Sequence, residues 1–313
     1  MVLTYPMTTA LISHPDCYDH ITPPGHPEQV ARLDAVLNAL DKMDLMRVSA
    51  PLAAEDDLLR AHPKAHLEAL KAAAPEHGWR SLDADTHMSA GTLTAAHRAA
   101  GAVVRAVDMV IAGEADNAFA AVRPPGHHAE RETAMGFCFF GSVAVAAKHA
   151  LEFHGLERVA IVDFDVHHGN GTQDLVEDDP RILFCSTHQM PLYPGTGHAH
   201  ETGVGNVLNV PLPDGAGSEV FRDVMERQVL PRVDAFAPQL LLISAGFDAH
   251  KDDPLAGLML TEADFIWVTE RLCDLADAHC GGRVVSALEG GYDLGALGAS
   301  AAAHVTVLKE RGA

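Results

Sequence analysis

Short, nearly continuous apolar runs alternate along this chain with segments of helical periodicity, and this alternation restricts the fold more than any other feature. The runs are AFAAV at 118–122, RVAIVDF at 158–164, RILFCS at 181–186, QLLLISA at 239–245 and RVVSAL at 283–288. Helical periodicity falls at 27–45, 89–113, 141–154, 218–236, 261–280 and 295–311. Strands that are apolar on both faces and alternate with helices predict a mostly parallel sheet with helices on both faces. We therefore predict a single open α/β domain over residues 1–313.

Four of the apolar runs lead directly into polar or glycine-rich loops. These loops read RPPGHHAE at 123–130, DFDVHHGNG at 163–171, GFDAHKDDP at 246–254 and EGGYD at 289–293. Parallel α/β sheets bind their ligands beyond the carboxyl ends of the strands. The four loops are therefore predicted to converge on one site, although they lie far apart in the sequence.

The composition narrows the classes of function. A formal net charge of −21 disfavours direct binding of nucleic acid, because phosphates require a basic protein face. The sequence contains no apolar run long enough for a membrane span, and its amino terminus lacks the basic region of a signal peptide. The five cysteines form no CxxC pair. We expect a cytoplasmic protein with reduced cysteines and with neither a membrane nor a nucleic-acid partner.

Three side chains from two of the loops suggest a metal site. Asp165 and His167 stand two apart in a segment expected to be extended, so their side chains are expected on the same side. Asp248, after another strand, offers a third ligand, and such a set leaves room for a water and a substrate oxygen. The donors fit zinc, but also iron or manganese. An isolated Asp-x-His pattern more often caps a turn, and the neighbouring loops favour the metal site here.

Other loop residues fit acid–base chemistry near such a metal. His127 and His128 follow the stiff RPPG turn, and paired imidazoles can serve as general base and general acid near neutral pH. They could equally cap the next segment. Tyr292 follows two glycines, where its phenol can donate to an oxyanion, although most such tyrosines only pack. Asp163 is predicted to orient a histidine from beneath.

Six ordered motifs resemble those of the zinc-dependent histone deacetylase family, within the arginase–deacetylase superfamily. They are RPPGHHA, GFCFF, DFDVHHGNGTQ, YPGTG, SAGFDAHKDDPLAG and LEGGYD. HPEQVARL at 26–33 is similar to the amino-terminal signature of that family, so the resemblance runs from about residue 14 to residue 300. HHGNGTQ and GFDAHKDDPL are more similar to the class II branch and its bacterial histone deacetylase-like amidohydrolases. The resemblance implies the arginase–deacetylase fold and a single deacetylase catalytic domain.

The resemblance also implies catalytic roles. One catalytic zinc ion would be held by Asp165, His167 and Asp248. His127 and His128 match the tandem histidines of the family, and Asp163 matches the aspartate paired with the first of them. Tyr292 matches the transition-state tyrosine. Asn170 stands where class I members have an aspartate beside the second histidine. Without that charge a lower pKa is expected for His128, which is therefore predicted to be the base.

Further positions match the substrate tunnel and a structural ion of the family. The aromatic walls are matched by Phe137 and Tyr193, and Gly136 would offer its carbonyl to the substrate amide. Leu255 stands where polyamine-specific class II members carry glutamate and lysine deacetylases carry leucine. The resemblance also implies a structural potassium ion, bound mostly through backbone oxygens. Its ligands would come from Asp163, Asp165, His167, Ser186 and Thr187. A second alkali-ion loop would include Val176, Asp179 and Ile182.

We therefore predict a zinc-dependent amidohydrolase that removes acetyl or other acyl groups from lysine side chains, releasing acetate and a free amine. Its partner is an acetylated lysine peptide or protein, or a small acylated amine. An acetylpolyamine amidohydrolase remains an alternative, with which the acidic charge is compatible. The others are a two-metal ureohydrolase on the same fold and a non-catalytic acyl-lysine binding module. A homo-oligomer and iron in place of zinc also remain open.

Overall fold

The computed structural model of the chain describes residues 8–311. Its strands are β1 Thr9–Ser13, β2 Met46–Ser49, β3 Arg80–Ser81, β4 His87–Met88, β5 Asn117–Ala120, β6 Val159–Asp163, β7 Ile182–Gln189, β8 Val207–Leu212, β9 Leu240–Ala245 and β10 Val284–Leu288. Its helices are α1 Ala31–Leu40, α2 Glu55–Leu59, α3 Lys64–Ala73, α4 Thr92–Ala112, α5 Ser142–Glu152, α6 Asn170–Val176, α7 Ser218–Val224, α8 Leu230–Phe236, α9 Glu262–Cys280 and α10 Leu294–Arg311.

Eight of the strands form one sheet in the order β2-β1-β5-β10-β9-β6-β7-β8. Every pairing between neighbours in this sheet is parallel. Helices α4 and α5 pack together on one face, and α10 packs with α1 and α9 on the other. Strands β5, β6, β9 and β10 are buried along their whole length. The predicted α/β fold with a parallel sheet covered on both faces is therefore confirmed.

Each of the five apolar runs forms a strand of this sheet, but β1, β2 and β8 were not predicted. β2 is short and mostly exposed, so it lacks the apolar signal of a buried strand. β8 contains Pro211, which cannot donate a hydrogen bond to a ladder and is tolerated here at the edge of the sheet. β1 lies before the first predicted helix, so it is not part of the alternation of apolar runs and helices that marked the other strands. Helices α2, α3 and α6 and the small β3–β4 hairpin were missed as well.

The helix predicted at 27–45 is shorter in the structure, where α1 covers Ala31–Leu40. Glu28 is fully buried and forms an ion pair with Arg123 at 2.6 Å, which holds the segment before Ala31 outside the helix. The helix predicted at 218–236 contains a π turn at Met225–Val229, between α7 and α8. Pro231 lies in the first turn of α8, and its missing N–H explains the wider turn before it.

Two further expectations concern the compartment. Between residues 8 and 311 the structure contains no helix with the length and apolar character needed to cross a bilayer. All five cysteines are free and buried. The cytoplasmic location stays a prediction.

Candidate active site

The four polar loops meet at one edge of the sheet, as predicted. They follow the carboxyl ends of β5, β10, β9 and β6, which are consecutive neighbours in the sheet. Hydrogen bonds join the loops to one another. The Gly290 N–H donates to Asp165 at 2.8 Å, and the Val166 N–H donates to Asp248 at 2.9 Å. This edge therefore carries side chains from distant parts of the sequence in direct contact.

Asp165, His167 and Asp248 form one compact cluster. One possible ligand atom from each lies within 4.8 Å of the other two. Nδ1 of His167 is 3.2 Å from Oδ1 of Asp165 and 3.1 Å from Oδ2 of Asp248. The segment with Asp165 and His167 was predicted to be extended, but β6 ends at Asp163 and residues 165–167 form bends. The bends, rather than a strand's alternation, bring the two side chains together.

Two glycines make room for this cluster. A Cβ atom at Gly246 would lie 2.0 Å from Oδ2 of Asp165, and one at Gly290 would lie 2.0 Å from Oδ2 of Asp248. Any larger residue at either position would displace a carboxylate. The backbone is therefore built closely around three donors that suit a divalent ion.

The charges of the cluster also fit a cation. Burial and the neighbouring charge of Asp165 raise the pKa of Asp248. Although burial opposes a charged imidazole, hydrogen bonds and charges from the two carboxylates raise the pKa of His167 to about 10. The two buried carboxylates thus favour positive charge at Nδ1 of His167. A divalent cation held by the three side chains would offset the same negative charges.

The two histidines of the RPPGHH loop lie side by side in different surroundings. Their ring centroids are 4.0 Å apart. Nδ1 of His127 is 3.0 Å from Oδ2 of Asp163, whereas Nδ1 of His128 is 2.7 Å from Oδ1 of Asn170. Burial disfavours charge on both, but the charges of Asp165 and Asp163 raise the pKa of His127 well above its ordinary value.

The pKa of His128 moves in the opposite direction. Burial, together with the neighbouring imidazoles of His127 and His167, holds it well below its ordinary value. Asn170 contributes a hydrogen bond but no charge, as expected from the sequence. At neutral pH His128 is therefore a neutral imidazole that can accept a proton, while His127 is the charged member of the pair.

Tyr292 lies beside the cluster and is held by its backbone and its ring. Its N–H donates to Oδ2 of Asp253 at 2.7 Å, and the guanidinium of Arg32 lies 4.9 Å from its ring centroid. Burial raises the pKa of its phenol well above the ordinary value. The hydroxyl therefore remains protonated and is available as a hydrogen-bond donor.

A narrow pocket of about 260 Å³ connects this site to the surface. Its lining includes His128, His167 and Tyr292 together with the predicted tunnel residues Gly136, Phe137, Tyr193 and Leu255, and also Pro27, Asp85 and Leu192. A Cβ atom at Gly136 would lie 2.5 Å from the His128 ring, so glycine is required there. Its carbonyl accepts a hydrogen bond from the Cys138 thiol at 3.2 Å. All predicted tunnel positions thus lie on one pocket with the candidate base and tyrosine.

A family model described as histone deacetylase domain matches residues 26–308. The chain belongs to the histone deacetylase family. The predicted family membership is therefore confirmed, and the chain is a deacetylase-type hydrolase by its relationships.

Relatives of this histone deacetylase family member include proteins of bacteria, archaea and plants. A histone deacetylase-like amidohydrolase of Pseudomonas aeruginosa is 43% identical, over 86% of this chain and 73% of the relative. A probable deacetylase of Archaeoglobus fulgidus is 39% identical, over 93% of this chain and 83% of the relative. Histone deacetylase 10, chloroplastic, of Oryza sativa is 42% identical, over 89% of this chain and 68% of the relative. The crystal structure of the HDA15 HD domain is 35% identical with a TM-score of 0.93, covering 98% of this chain and 89% of that one.

Several buried charges that support the site of this deacetylase family member were not predicted. Oε2 of Glu289 accepts from the N–H groups of Gly126 and His127, at 2.7 and 3.1 Å, and so holds the histidine loop. Arg32 donates to the carbonyl of Gly291 at 2.6 Å and to Glu28 at 2.9 Å. A signal was present, because Arg32 stands among the apolar residues of α1 and Glu289 follows a buried strand directly.

The residues proposed for alkali ions are also near one another. Asp163 and Ser186 are paired across β6 and β7, and Thr187 follows Ser186. In the second predicted alkali-ion loop, Nδ2 of Asn206 donates hydrogen bonds at 2.8–3.0 Å to the carbonyl oxygens of three residues, namely Val176, Asp179 and Ile182. Both alkali-ion sites stay predictions.

Proposed function

We propose that this chain is a zinc-dependent amidohydrolase that removes acetyl or other acyl groups from lysine side chains and releases acetate and a free amine. The observation that carries the proposal is one shared pocket: its lining includes His128, Tyr292 and His167, and His167 belongs to the cluster with Asp165 and Asp248. When bound by this cluster, zinc supplies Lewis acidity that polarises a carbonyl and lowers the pKa of a water molecule.

The chain's own side chains would handle the protons. His128 is neutral and therefore accepts a proton from the attacking water. The Tyr292 hydroxyl donates a hydrogen bond to the amide oxygen as that oxygen gains negative charge. A protonated histidine, either His128 after the first step or His127, gives a proton to the leaving amine. Asp163 stabilises positive charge on His127, at 3.0 Å from its Nδ1.

Truncating the two histidines should have unequal effects. We expect His128→Ala to lose about ten times more kcat/KM than His127→Ala, because a general base must be neutral and the surroundings of His128 favour that form. The measurement is the pH dependence of kcat/KM for both variants and the parent. A larger loss in His127→Ala throughout the profile would transfer the base role to the histidine beside Asp163.

The pKa of the base can also be shifted by design. Nδ2 of Asn170 donates to Glu130 at 2.7 Å, so the double variant Glu130→Gln, Asn170→Asp exchanges the amide and the carboxylate. The new charge next to His128 should raise the pKa of that histidine. As the pH falls, a base with a raised pKa becomes protonated at a higher pH than the parent base does. The acidic limb of the profile should therefore move to higher pH, with Glu130→Gln alone as the control. An unchanged limb in the double variant would argue against His128 as the titrating base.

Substrate class depends on the outer part of the pocket. Leu255 is half-buried there and offers apolar surface to a lysine stem or a peptide backbone. Asp253 is buried and is not among the residues that line the pocket, and its oxygens accept from the N–H groups of Leu255 and Tyr292 at 3.0 and 2.7 Å. Asp85 is the one carboxylate among the pocket residues, and it is the feature that favours a polyamine.

The experiment that tests the proposal is a panel of acetyl-lysine peptides, longer acyl-lysine peptides and acetylpolyamines with the zinc form of the protein. We expect lysine substrates to have the higher kcat/KM. Leu255→Glu should shift the ratio toward polyamines by about tenfold, since a carboxylate on a partly desolvated ammonium contributes roughly 1–3 kcal/mol. Asp85→Asn is the matched control for the other acidic group. A parent protein that prefers an acetylpolyamine would contradict the lysine assignment and leave amide hydrolysis intact.

A further inference from the structure

A second group of metal-binding side chains lies away from the active site, where the carboxyl ends of α4 and α5 meet. Asp108 is on the last turns of α4, His149 is on the last turn of α5, and His154 follows that helix. These helix ends precede β5 and β6, so the group lies at the amino edge of the sheet, opposite the deacetylase pocket. No step of the proposed reaction uses these residues.

The three side chains converge on one point. Nε2 of His149 is 2.8 Å from Oδ1 of Asp108, and Nε2 of His154 is 2.7 Å from the same oxygen. One ligand atom from each residue lies within 4.8 Å of the others. Tetrahedral zinc with bonds of about 2.0–2.1 Å places its ligand atoms roughly 3.3 Å apart. A modest opening of this group would therefore admit an ion.

A fourth side chain orients one of the ligands. Nδ1 of His149 is 3.0 Å from Oδ1 of Asp57, a residue of α2. A metal-binding imidazole usually donates its other ring N–H to a carboxylate, which fixes the tautomer and the direction of the free nitrogen. Asp57 has this relation to His149 and directs its Nε2 toward Asp108 and His154.

The group is accessible from solvent. The side chains of Asp108 and His154 are 32% and 17% exposed, whereas His149 is 6% exposed. Gly155 adopts a φ of +69°, which lets the chain turn away directly after His154. Two imidazoles and one carboxylate, with open positions toward solvent, suit Zn²⁺ and similar transition ions better than Mg²⁺ or Ca²⁺.

We propose that Asp108, His149 and His154 form a second metal site, which binds a divalent transition ion such as zinc and links α4 to the end of α5. The proposal is independent of the function assigned to the deacetylase pocket, because it concerns only the number of ions bound at the opposite edge of the sheet. The competing interpretation is that the same side chains form only a hydrogen-bonded ion-pair network among α2, α4 and α5.

The test counts zinc in the full-length protein without a histidine tag. The parent protein and its variants are saturated with zinc, dialysed and analysed by elemental mass spectrometry against protein concentration. The variant is His154→Gln. Its matched control is His279→Gln, because His279 also pairs with one carboxylate, Asp234, at 2.7 Å and is similarly exposed at 22%, but belongs to no group of three possible ligands in the described part of the chain.

We expect His279→Gln to bind as many zinc ions as the parent and His154→Gln to bind one fewer. Asp108→Asn, which preserves shape and a hydrogen-bond acceptor, should also lose one. Added zinc should raise the Tm of the parent by more than that of His154→Gln, and Tm without zinc shows that each variant is folded. Equal zinc content in the parent and His154→Gln would overturn the proposal and leave the ion-pair network.

Discussion

Replacing Asp165 by alanine should remove one equivalent of bound zinc and all measurable turnover together. Within residues 8–311 the cluster consists of three side chains, so the loss of Asp165 leaves two protein ligands for the ion. The same result is expected for Asp248→Ala. Both variants also leave the remaining carboxylate and His167 buried with one partner fewer, so folding is checked by Tm. Zinc content and the rate of deacetylation, measured on the same preparations, test the expectation.

The loop after β9 offers a matched control for this experiment. Asp252 is four residues from Asp248, and its side chain is 60% exposed. Asp252→Ala should therefore keep both the metal and the activity. Stoichiometric zinc and normal turnover in Asp165→Ala or Asp248→Ala would show that the ligand assignment is wrong, whereas loss in the Asp252 variant would indicate a general effect of the loop.

Tyr292→Phe should lower kcat by about a hundredfold or more, because it removes one donor to the developing oxyanion while it preserves the ring. The ring's contact with Arg32 and the backbone hydrogen bond to Asp253 do not involve the hydroxyl, so the fold of the loop should persist. Binding of a carbonyl inhibitor should weaken less than kcat falls. The measurements are kcat with an acetyl-lysine peptide and the Kd of the inhibitor.

Tyr193→Phe is the control for this substitution, since Tyr193 lines the same pocket and its ring centroid is 5.2 Å from that of His128. It should retain most of the activity. If Tyr292→Phe also remained within a few-fold of the parent, Tyr292 would have only a packing role. A non-catalytic acyl-lysine binding module would then have to be considered again.

Much of this molecule was predictable because the strongest signals are local. The buried strands β6, β9 and β10 are uninterrupted apolar runs, and parallel strands open their loops at a common edge, so the meeting of those loops follows from pattern alone. The resemblance then supplied the roles of the loop residues. The strands at the two edges of the sheet were missed because β2 is mostly exposed and β8 contains Pro211, and both features weaken that pattern.

Charged groups in the interior were the least predictable part of the site. Glu28, fully buried between Arg32 and Arg123, belongs to the segment predicted as helix, and helical periodicity contains no information about a distant partner. Glu289 stands next to glycines that suggest a loop, yet it holds the backbone of the histidine loop. A buried charge needs a partner, and the identity of that partner depends on which distant segment of the chain packs against it.

The amino-acid sequence by itself determined the class of fold, the edge of the sheet that carries the chemistry and the donor types found there, because apolar period and residue type are local properties. The resemblance already implied a lower pKa for His128 than for its neighbour His127, but only the tertiary structure supplied the burial and the surrounding charges that move the two pKa values in opposite directions. Asp163 and Asn170 reach the two histidines from β6 and α6, so their different pKa directions arise from contacts across the fold. The pairing of Asp108 with His149 and His154 has the same origin, since burial and electrostatic partners exist only once distant segments pack together.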